Sequence, residues 1–206
     1  MRDFGKTILA GANKMKTFIY LKNLVTDGYV ASVTPTSRFG VDRVCNKIDF
    51  STAKLIVEYG PGTGAFTLPL LRNMEKNSKL IAIERNPNFC RYLKKHIKDP
   101  RLLVFQDSAE NVLDILKTCN GSKDLQADYI ISGIPFSFLP RHTKTEILEN
   151  SYSALKTGGK FLAYQNFFQF QFPEILKHPV EGIFHNVRTQ YVLPNLPPMM
   201  VLEAVK

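Results

Sequence analysis

The sequence contains no tryptophan, few cysteines and no long apolar run. Its three cysteines, Cys45, Cys90 and Cys119, are odd in number and lack a Cys-x-x-Cys spacing, which argues against a disulfide framework and a zinc site. No stretch approaches the roughly 18 to 20 unbroken apolar residues of a membrane span, and the N-terminus lacks the apolar block and cleavage site of a secretory signal. We therefore expect a cytoplasmic protein without a bound metal.

Negative charge is also scarce, because 18 acidic residues face 27 lysines and arginines and leave a formal net charge of +9. This excess favours an acidic partner, and nucleic acid and anionic lipid both satisfy that requirement. The length of 206 residues suits one sheet-centred domain with a sizeable core. We predict a helical extension over residues 1–50 and a core over residues 51–206.

The most informative segment is 55–64, in which a continuous apolar run leads into a glycine-rich turn. Such runs are typical of strands covered on both faces, and ligands bind beyond the carboxyl ends of these strands. Gly60, Gly62 and Gly64 permit a tight turn and a close approach of backbone amides to a ligand. The next strand ends at Glu84, where a carboxylate can accept hydrogen bonds from ribose hydroxyls. The combination predicts a nucleoside site, although a plain strand-to-helix turn is the alternative.

The details of the turn narrow the choice of nucleoside. A phosphate-binding loop would end in Gly-Lys-Ser/Thr, whereas this turn has no lysine, and its glycine spacing differs from that of a dinucleotide fold. The pattern Glu58-x-Gly-x-Gly-x-Gly resembles the first motif of the S-adenosylmethionine-dependent methyltransferases, whose cofactor carries no phosphate. We predict S-adenosyl-L-methionine as the cofactor, held by Glu58, Gly60, Gly62, Thr63, Gly64, Glu84, Arg85, Asp107, Ser108 and Ser132.

Strands and helices alternate along the chain. We predict strands near 54–59, 79–84, 102–105, 128–132 and 160–164, a helix behind Ser37, and further helices near 64–73, 87–97, 108–117 and 141–155. This alternation favours parallel βαβ units. Two apolar stretches near 183–193 and 199–205 predict an antiparallel pair that closes the sheet. The predicted fold is α/β: a Rossmann-like, class I methyltransferase sheet of seven mostly parallel strands, with helices on both faces and an N-terminal amphipathic helix.

The third and fourth strands end in polar turns. Asp107 can accept from the exocyclic amine of adenine, while Ser108 can cap the following helix; the alternative is that Asp107 serves only as a cap. The fourth strand leads into Ser-Gly-Ile-Pro-Phe at 132–136, where proline fixes φ and glycine frees the backbone. We predict that this stiff loop holds an acceptor nitrogen beside the glycine turn, with Phe136 as a pocket wall; an ordinary strand-to-helix turn is the alternative.

Six segments occur in one order along nearly the whole chain: 21–30, 35–38, 57–67, 131–136, 158–161 and 195–198. Together they resemble the bacterial phospholipid N-methyltransferases, which are related to the ribosomal RNA adenine dimethylases. The Ser-Gly-Ile-Pro-Phe and Asn-x-Pro-Pro elements are more specific than the glycine motif. The resemblance implies transfer of methyl groups to the amine of phosphatidylethanolamine or its methylated derivatives. We also expect a monomer at the cytoplasmic face of a membrane.

Two other functions stay open from the sequence. Ribosomal RNA adenine dimethylases carry a loop resembling Asn-Leu/Ile-Pro-Tyr/Phe, whose asparagine helps hold a flipped base, whereas this sequence has Ser132 at that position. They also usually carry a helical domain after the sheet, for which we expect no room before Lys206. Both departures favour lipid over nucleic acid. A cofactor-binding module without catalysis is the third hypothesis.

The N-terminal segment predicts a basic amphipathic helix over roughly residues 3–21. Its apolar face can rest on an anionic membrane while basic residues meet the headgroups, or it can pack on the core as a lid over the site. The apolar face consists of Phe4, Ile8, Ala12, Met15, Phe18 and Ile19, and the basic residues are Arg2, Lys6, Lys14 and Lys16.

An ethanolamine nitrogen must lose a proton before it attacks, because a lysine-like amine has a pKa around 10. Tyr29, Tyr164 and His142 are candidates for handling that proton. The predicted catalytic set is Ser132, Gly133, Pro135, Phe136 and Tyr29.

A lipid phosphate requires a cation or a helix N-terminus, which Ser37 with Arg38, or Arg141 with Lys144, would offer. Aromatic residues at 164–168 could surround a methylated ammonium, or they could pack in the core. The predicted substrate-binding set is Ser37, Arg38, Arg141 and Tyr164.

Overall fold

A seven-stranded sheet organises the chain in the computed structural model, which describes residues 37–120, 125–166, 174–193 and 198–206. Most strands are apolar and buried on both faces, as the continuous runs in the sequence predict. The strands are β1 Leu55–Tyr59, β2 Lys79–Glu84, β3 Leu102–Gln106, β4 Ala127–Ser132, β5 Leu155–Asn166, β6 His185–Val192 and β7 Met199–Val205.

The strand order is β3-β2-β1-β4-β5-β7-β6, and the first five strands are parallel. β7 pairs antiparallel with both β5 and β6, which confirms the predicted antiparallel pair. β6 therefore runs in the same direction as β5. As a result, β1 to β6 all end at one edge of the sheet, called here the carboxyl edge. Strand order reverses between β1 and β4, where ligands bind in sheets of this kind.

Helices cover both faces of the sheet. Hydrophobic residues of α1 and α2 pack on one face, and those of α4, α5 and α6 pack on the other. The helices are α1 Arg38–Cys45, α2 Thr67–Asn73, α3 Pro87–His96, α4 Val112–Asn120, α5 Arg141–Ala154 and α6 Glu174–Glu181, with 3-10 turns at Ala109–Asn111 and Phe136–Phe138. The predicted α/β fold is confirmed, whereas the N-terminal helix over 3–21 lies outside the described residues.

α1 begins where the sequence predicts, because the Ser37 hydroxyl accepts a hydrogen bond from the Gly40 N–H at 3.3 Å. Val41 and Val44 then pack against the sheet. The division at residue 50 stays a prediction. None of the helices in the described ranges has the length and apolarity to cross a membrane.

Several elements differ from the prediction. β5 begins at Leu155 rather than near 160, because the strand continues through Gly158 and Gly159 with a shift of register against β4. α6 was not predicted, and it contains Pro179, which is unfavourable inside a helix. α2 begins at Thr67 rather than near 64, since the glycine turn occupies the preceding residues.

Candidate cofactor and acceptor site

The glycine turn after β1 adopts a backbone conformation that favours glycine. Gly60, Gly62 and Gly64 have φ values of +66°, +56° and +85°, in the left-handed region that side chains with a Cβ rarely adopt. The Gly60 N–H donates to the Ile83 carbonyl at 2.9 Å, and the Gly64 N–H donates to the Pro61 carbonyl at 2.8 Å. The turn is thus held against the end of β2.

Glu84 ends β2 at the rim of this turn. It is 8 % exposed, and its Oε2 accepts from the Gly62 N–H at 3.0 Å. Its Oε1 accepts from the Asn86 N–H at 2.9 Å. Because a carboxylate offers about four lone-pair sites, both oxygens can accept further hydrogen bonds from a ligand. Glu84 is therefore fixed next to the turn in the place where a ribose would need acceptors.

Glu58 lies beneath the turn, completely buried on β1. Its Oε2 accepts from the Thr67 hydroxyl at 2.7 Å, while its Oε1 has no hydrogen-bond partner. Burial, with a smaller contribution from the nearby charge of Glu84, raises the pKa of Glu58 to about 8, although the Thr67 hydrogen bond acts to lower it. A cationic or N–H-bearing ligand would supply what this carboxyl lacks.

Asp107 follows β3, and its own neighbours use its carboxylate. Its Oδ1 accepts from the Ser108 N–H and from the Asn111 side chain, both at 2.7 Å. Ser108 stands at the N-cap position, but its hydroxyl donates to Glu110 and makes no cap hydrogen bond. The predicted cap by the Ser108 side chain is therefore wrong. A role for Asp107 towards adenine stays a prediction.

The loop after β4 lies directly against the glycine turn. The Gly133 N–H donates to the Tyr59 carbonyl at 2.9 Å, and the buried Ser132 hydroxyl accepts from the Ile134 N–H at 3.4 Å. A Cβ built on Gly133 would lie 3.3 Å from the Gly60 carbonyl oxygen. The two motifs that the sequence singles out therefore meet, as neighbouring strands β1 and β4 require.

Tyr164 closes this junction from β5. A Cβ on Gly133 would come within 2.7 Å of the Tyr164 Cζ and closer still to its hydroxyl oxygen. The half-buried tyrosine ring also stacks on Phe66, with centroids 4.1 Å apart and an interplanar angle of 29°. Tyr164 thus touches both motifs at once, which brings this predicted substrate residue to the centre of the site.

Pro135 and Phe136 continue the loop in different surroundings. Pro135 begins a 3-10 turn and accepts from the Phe138 N–H at 3.0 Å. Phe136 is completely buried, and its ring meets that of Phe161 edge-on, with ring centroids 6.4 Å apart. The exposed ring of this loop is Phe138. A role for Phe136 as a pocket wall stays a prediction.

The predicted cations lie around the carboxyl edge. The Arg38 side chain is 93 % exposed, and its Nε lies 3.7 Å from the Asp42 Oδ2. Arg141 is exposed at the start of α5. Lys144, one turn further on, is half-buried, and this burial lowers its pKa. Arg85 is exposed at the end of β2. Tyr29 lies outside the described residues.

Sequence reasoning missed three residues that support the site. Asn86 holds Glu84 in place, Thr67 holds Glu58, and Phe66 supports the Tyr164 ring. An Asn-Pro pair is a helix-start signal, and the Asn86 side chain indeed accepts from the Asn88 and Phe89 N–H groups. That signal could have identified Asn86. The other two depend on contacts across the fold.

These features fit S-adenosylmethionine. The Glu84 carboxylate lies beside a turn without lysine or arginine, so the site would disfavour a phosphate and would stabilise N–H and O–H donors and positive charge. Glu84 would hold the ribose hydroxyls, and the unpartnered oxygen of Glu58 offers an acceptor for the amino-acid part. Gly133 and Tyr164 border the position where an acceptor would enter.

Comparison with known proteins agrees with this geometry. Residues 56–159 match the family described as "Methyltransferase domain". An ornithine lipid N-methyltransferase from Singulisphaera acidiphila is 25% identical over 166 residues, which cover 77% of this chain and 85% of that protein. A probable ribosomal RNA small subunit methyltransferase A from Pyrobaculum islandicum is 33% identical over 82 residues, which cover 40% of this chain and 29% of that protein.

Solved structures share the fold. A TehB-like SAM-dependent methyltransferase from Corynebacterium glutamicum superposes with a TM-score of 0.61 over 94% of this chain and 99% of that chain, at 15% identity. This structural similarity and the family match confirm the resemblance drawn from the sequence and the predicted cofactor. The chain therefore belongs to the methyltransferase-domain family and is a class I methyltransferase that uses S-adenosyl-L-methionine.

Proposed function

We propose that this enzyme transfers methyl groups to the amine of phosphatidylethanolamine or its methylated derivatives, at the cytoplasmic face of a membrane. The similarity to an ornithine lipid N-methyltransferase over most of both chains supports a lipid amine as the acceptor. The resemblance of the 131–136 and 195–198 segments to phospholipid N-methyltransferases supports a phospholipid in particular.

The observation that carries this proposal is the convergence of Gly60, Gly133 and Tyr164. The convergence leaves no space for a side chain at Gly133, so the loop, the glycine turn and the Tyr164 hydroxyl lie close together around any acceptor group that binds beside them. Such an arrangement suits a primary amine on a two-carbon headgroup. The contact between loop and turn also keeps the acceptor close to the cofactor site, which is the positioning that methyl transfer requires.

The residues of the chain position and desolvate the nucleophile. When bound, S-adenosylmethionine supplies a methyl group already activated on a sulfonium. The Tyr164 hydroxyl can accept a hydrogen bond from the acceptor ammonium, and the backbone carbonyls around Gly133 can accept others. Loss of a proton from that nitrogen to water, in a site half-closed by the Phe66–Tyr164 stack, leaves its lone pair free to attack.

Arg141 and Lys144 are suited to the lipid phosphate. Both lie in the first turn of α5, which begins shortly after the 132–136 loop. Their positive charges therefore add to the partial positive charge at the N-terminus of the helix. Because Lys144 is partly buried, water competes less with a phosphate for its ammonium group. Arg38 offers a second cation from α1.

Label transfer tests the proposal. The wild-type enzyme would be incubated with methyl-labelled S-adenosylmethionine and, in separate reactions, phosphatidylethanolamine vesicles or ribosomal RNA. We expect label in the lipid and none in the RNA. Label in neither, with the cofactor bound, would support a binding module without catalysis.

Adenine dimethylation of ribosomal RNA is the second candidate. It is favoured by the 33% identity to a ribosomal RNA methyltransferase, although that match covers 29% of the other protein. Ser132 stands where the dimethylases carry an asparagine, and its hydroxyl is already engaged with the Ile134 N–H. Label in RNA alone would favour this candidate and overturn the lipid proposal.

A further inference from the structure

The largest exposed hydrophobic side chains in the described ranges belong to segments that reach the carboxyl edge of the sheet. They are Phe39, Phe138, Tyr191 and Leu193, each between 52% and 74% exposed. Phe138 follows β4 by six residues, and Tyr191 and Leu193 stand at the end of β6. β4 and β6 both end at the carboxyl edge, so these three side chains belong to that edge.

Phe39 reaches the same edge from α1. This helix contacts β6, and its Val41 and Val44 share a hydrophobic cluster with Val192, the last residue of that strand. At its other end, the segment after α1 reaches the opposite edge of the sheet, where the Asp49 N–H donates to Tyr129 near the start of β4. The first turn of α1, with Phe39, therefore lies beside the end of β6.

Arginines stand near two of these four side chains in the sequence. Arg38 adjoins Phe39, and Arg141 follows Phe138 by three residues. The segments 131–141 and 185–193 contain no aspartate or glutamate, and Asp42 is the acidic residue in α1. An apolar surface bordered by arginines matches the boundary between the headgroups and acyl chains of an anionic bilayer.

We propose that Phe39, Phe138, Tyr191 and Leu193 form a membrane-docking rim that enters the headgroup region of an anionic bilayer, with Arg38 and Arg141 contacting the lipid phosphates. The inference rests on the proposed lipid acceptor, because the rim borders the part of the carboxyl edge that contains Gly133 and Tyr164. Docking there turns the site towards the bilayer. A headgroup can then reach Gly133 while its acyl chains stay in the membrane.

Lipid explains the composition of the rim better than nucleic acid does. Bases stack on aromatic rings, but the most exposed residue of the rim, Leu193, has no ring to offer. Aromatic and aliphatic side chains both gain from leaving water for a bilayer interface. The mixture of Phe, Tyr and Leu is therefore typical of lipid contact.

The full-length double variant F39S/L193S tests the rim, because both side chains are highly exposed and lie outside the catalytic site. Its matched control is K98S/K117S, which removes two exposed cations near the opposite edge of the sheet. Co-sedimentation would use vesicles of phosphatidylcholine with about 30 % phosphatidylglycerol. We expect at least a tenfold weaker partition for F39S/L193S, a much smaller change for the control, and unchanged circular dichroism melting for both.

Activity on two forms of the acceptor distinguishes a failure of the rim proposal from a failure of the proposed lipid acceptor. F39S/L193S should lose at least tenfold in kcat/KM on phosphatidylethanolamine in vesicles, yet keep wild-type kcat/KM on a short-chain phosphatidylethanolamine below its critical micelle concentration. Absence of methylation of either form by the wild type would refute the lipid acceptor, while the sedimentation result would still decide on the rim.

Three results would overturn the rim. The first is equal vesicle partition of F39S/L193S and wild type. The second is selective loss of ribosomal RNA binding in the variant with vesicle partition intact, which would assign the surface to nucleic acid. The third is a wild-type dimer that the variant converts to a monomer, which would assign it to a second copy of the chain.

Discussion

The two halves of the carboxyl edge differ in chemistry. The half formed by β1 to β3 carries Glu58, Glu84 and Asp107, and their carboxylates accept hydrogen bonds from the surrounding chain. The half formed by β4 to β6 carries Gly133 and Tyr164, together with exposed apolar side chains. Arg38 and Arg141 are exposed beside this second half.

The difference indicates two ligands with opposite requirements. The first half, with Glu84 and Asp107, suits a cofactor that presents positive charge and N–H and O–H donors. The apolar and basic second half suits an amphiphile with a phosphate. If this division is correct, substitutions in one half should change cofactor affinity, and substitutions in the other should change the use of the acceptor.

The largest expected effect is at the boundary between the halves. Gly133→Ala would place a methyl group against the Tyr164 ring and hydroxyl, so either the loop or the stacked ring must move. Because a misplacement of about 1 Å can reduce a rate about 100-fold, we expect at least that loss in kcat. Steady-state methylation kinetics would measure it.

Gly182→Ala is the matched control, since a Cβ there meets only ordinary contacts at 3.6 Å and beyond. Thermal melting would verify that both variants are folded. Turnover by the folded G133A variant at the level of G182A would contradict the predicted crowding at the junction.

The next effect is on stability and depends on pH. Glu58 has a pKa of about 8 in the folded protein against 4.5 ordinarily, so the folded state retains a proton that the unfolded state releases. With respect to this group, stability is greatest below pH 4.5 and is lost as pH rises to about 8. Glu58→Gln cannot ionise and should lack this decline.

Without cofactor, the unfolding free energy of E58Q minus that of wild type should increase by about 2–4 kcal/mol between pH 5 and pH 8.5. Urea denaturation at both pH values would measure the difference. As a comparison, Asp128→Asn should show no such rise, because hydrogen bonds and Lys156 lower the pKa of Asp128 despite its partial burial. A constant difference for E58Q would contradict a neutral Glu58.

A smaller effect is expected in the cofactor half. Glu84→Gln removes the charge and one acceptor oxygen beside the ribose position, while keeping the shape of the side chain. We expect about 10- to 30-fold weaker S-adenosylmethionine binding, equivalent to about 2 kcal/mol, measured by calorimetry. KM for the lipid should change little. An unchanged cofactor affinity would count against the ribose role of Glu84.

The smallest effect is expected in the acceptor half. Tyr164→Phe keeps the stack on Phe66 but removes the hydroxyl beside Gly133. We expect KM for phosphatidylethanolamine to rise about 3- to 10-fold, equivalent to about 1 kcal/mol for one hydrogen bond. Cofactor affinity should stay the same. Tyr152→Phe, on α5 against Phe184, is the control; an effect of equal size there would argue against a specific role.

The parts of the fold that depend on local pattern were predictable. Apolar runs located all seven strands, and the glycine triplet with Glu84 located the cofactor half, because these signals lie within short segments. α6 was not predictable in this way, since Pro179 disfavours the helix that its packing stabilises. β5 likewise extends through a glycine pair that resembles a turn.

The acceptor half was harder to predict because its contacts join distant segments. The sequence singled out Gly133 and Tyr164 separately, but their contact depends on the pairing of β4 with β5. The buried packing of Phe136 against Phe161 also joins distant segments and has no local signal in the sequence. Exposure of Phe39 and Leu193 has no signal in the sequence at all.

The most direct test of the central claim is mass spectrometry of lipid extracted after incubation with deuterium-methyl S-adenosylmethionine and phosphatidylethanolamine vesicles. With wild-type enzyme we predict labelled methyl groups on the headgroup nitrogen, and with folded G133A at least 100-fold less product. Unlabelled lipid from wild-type enzyme that binds the cofactor normally would contradict the account.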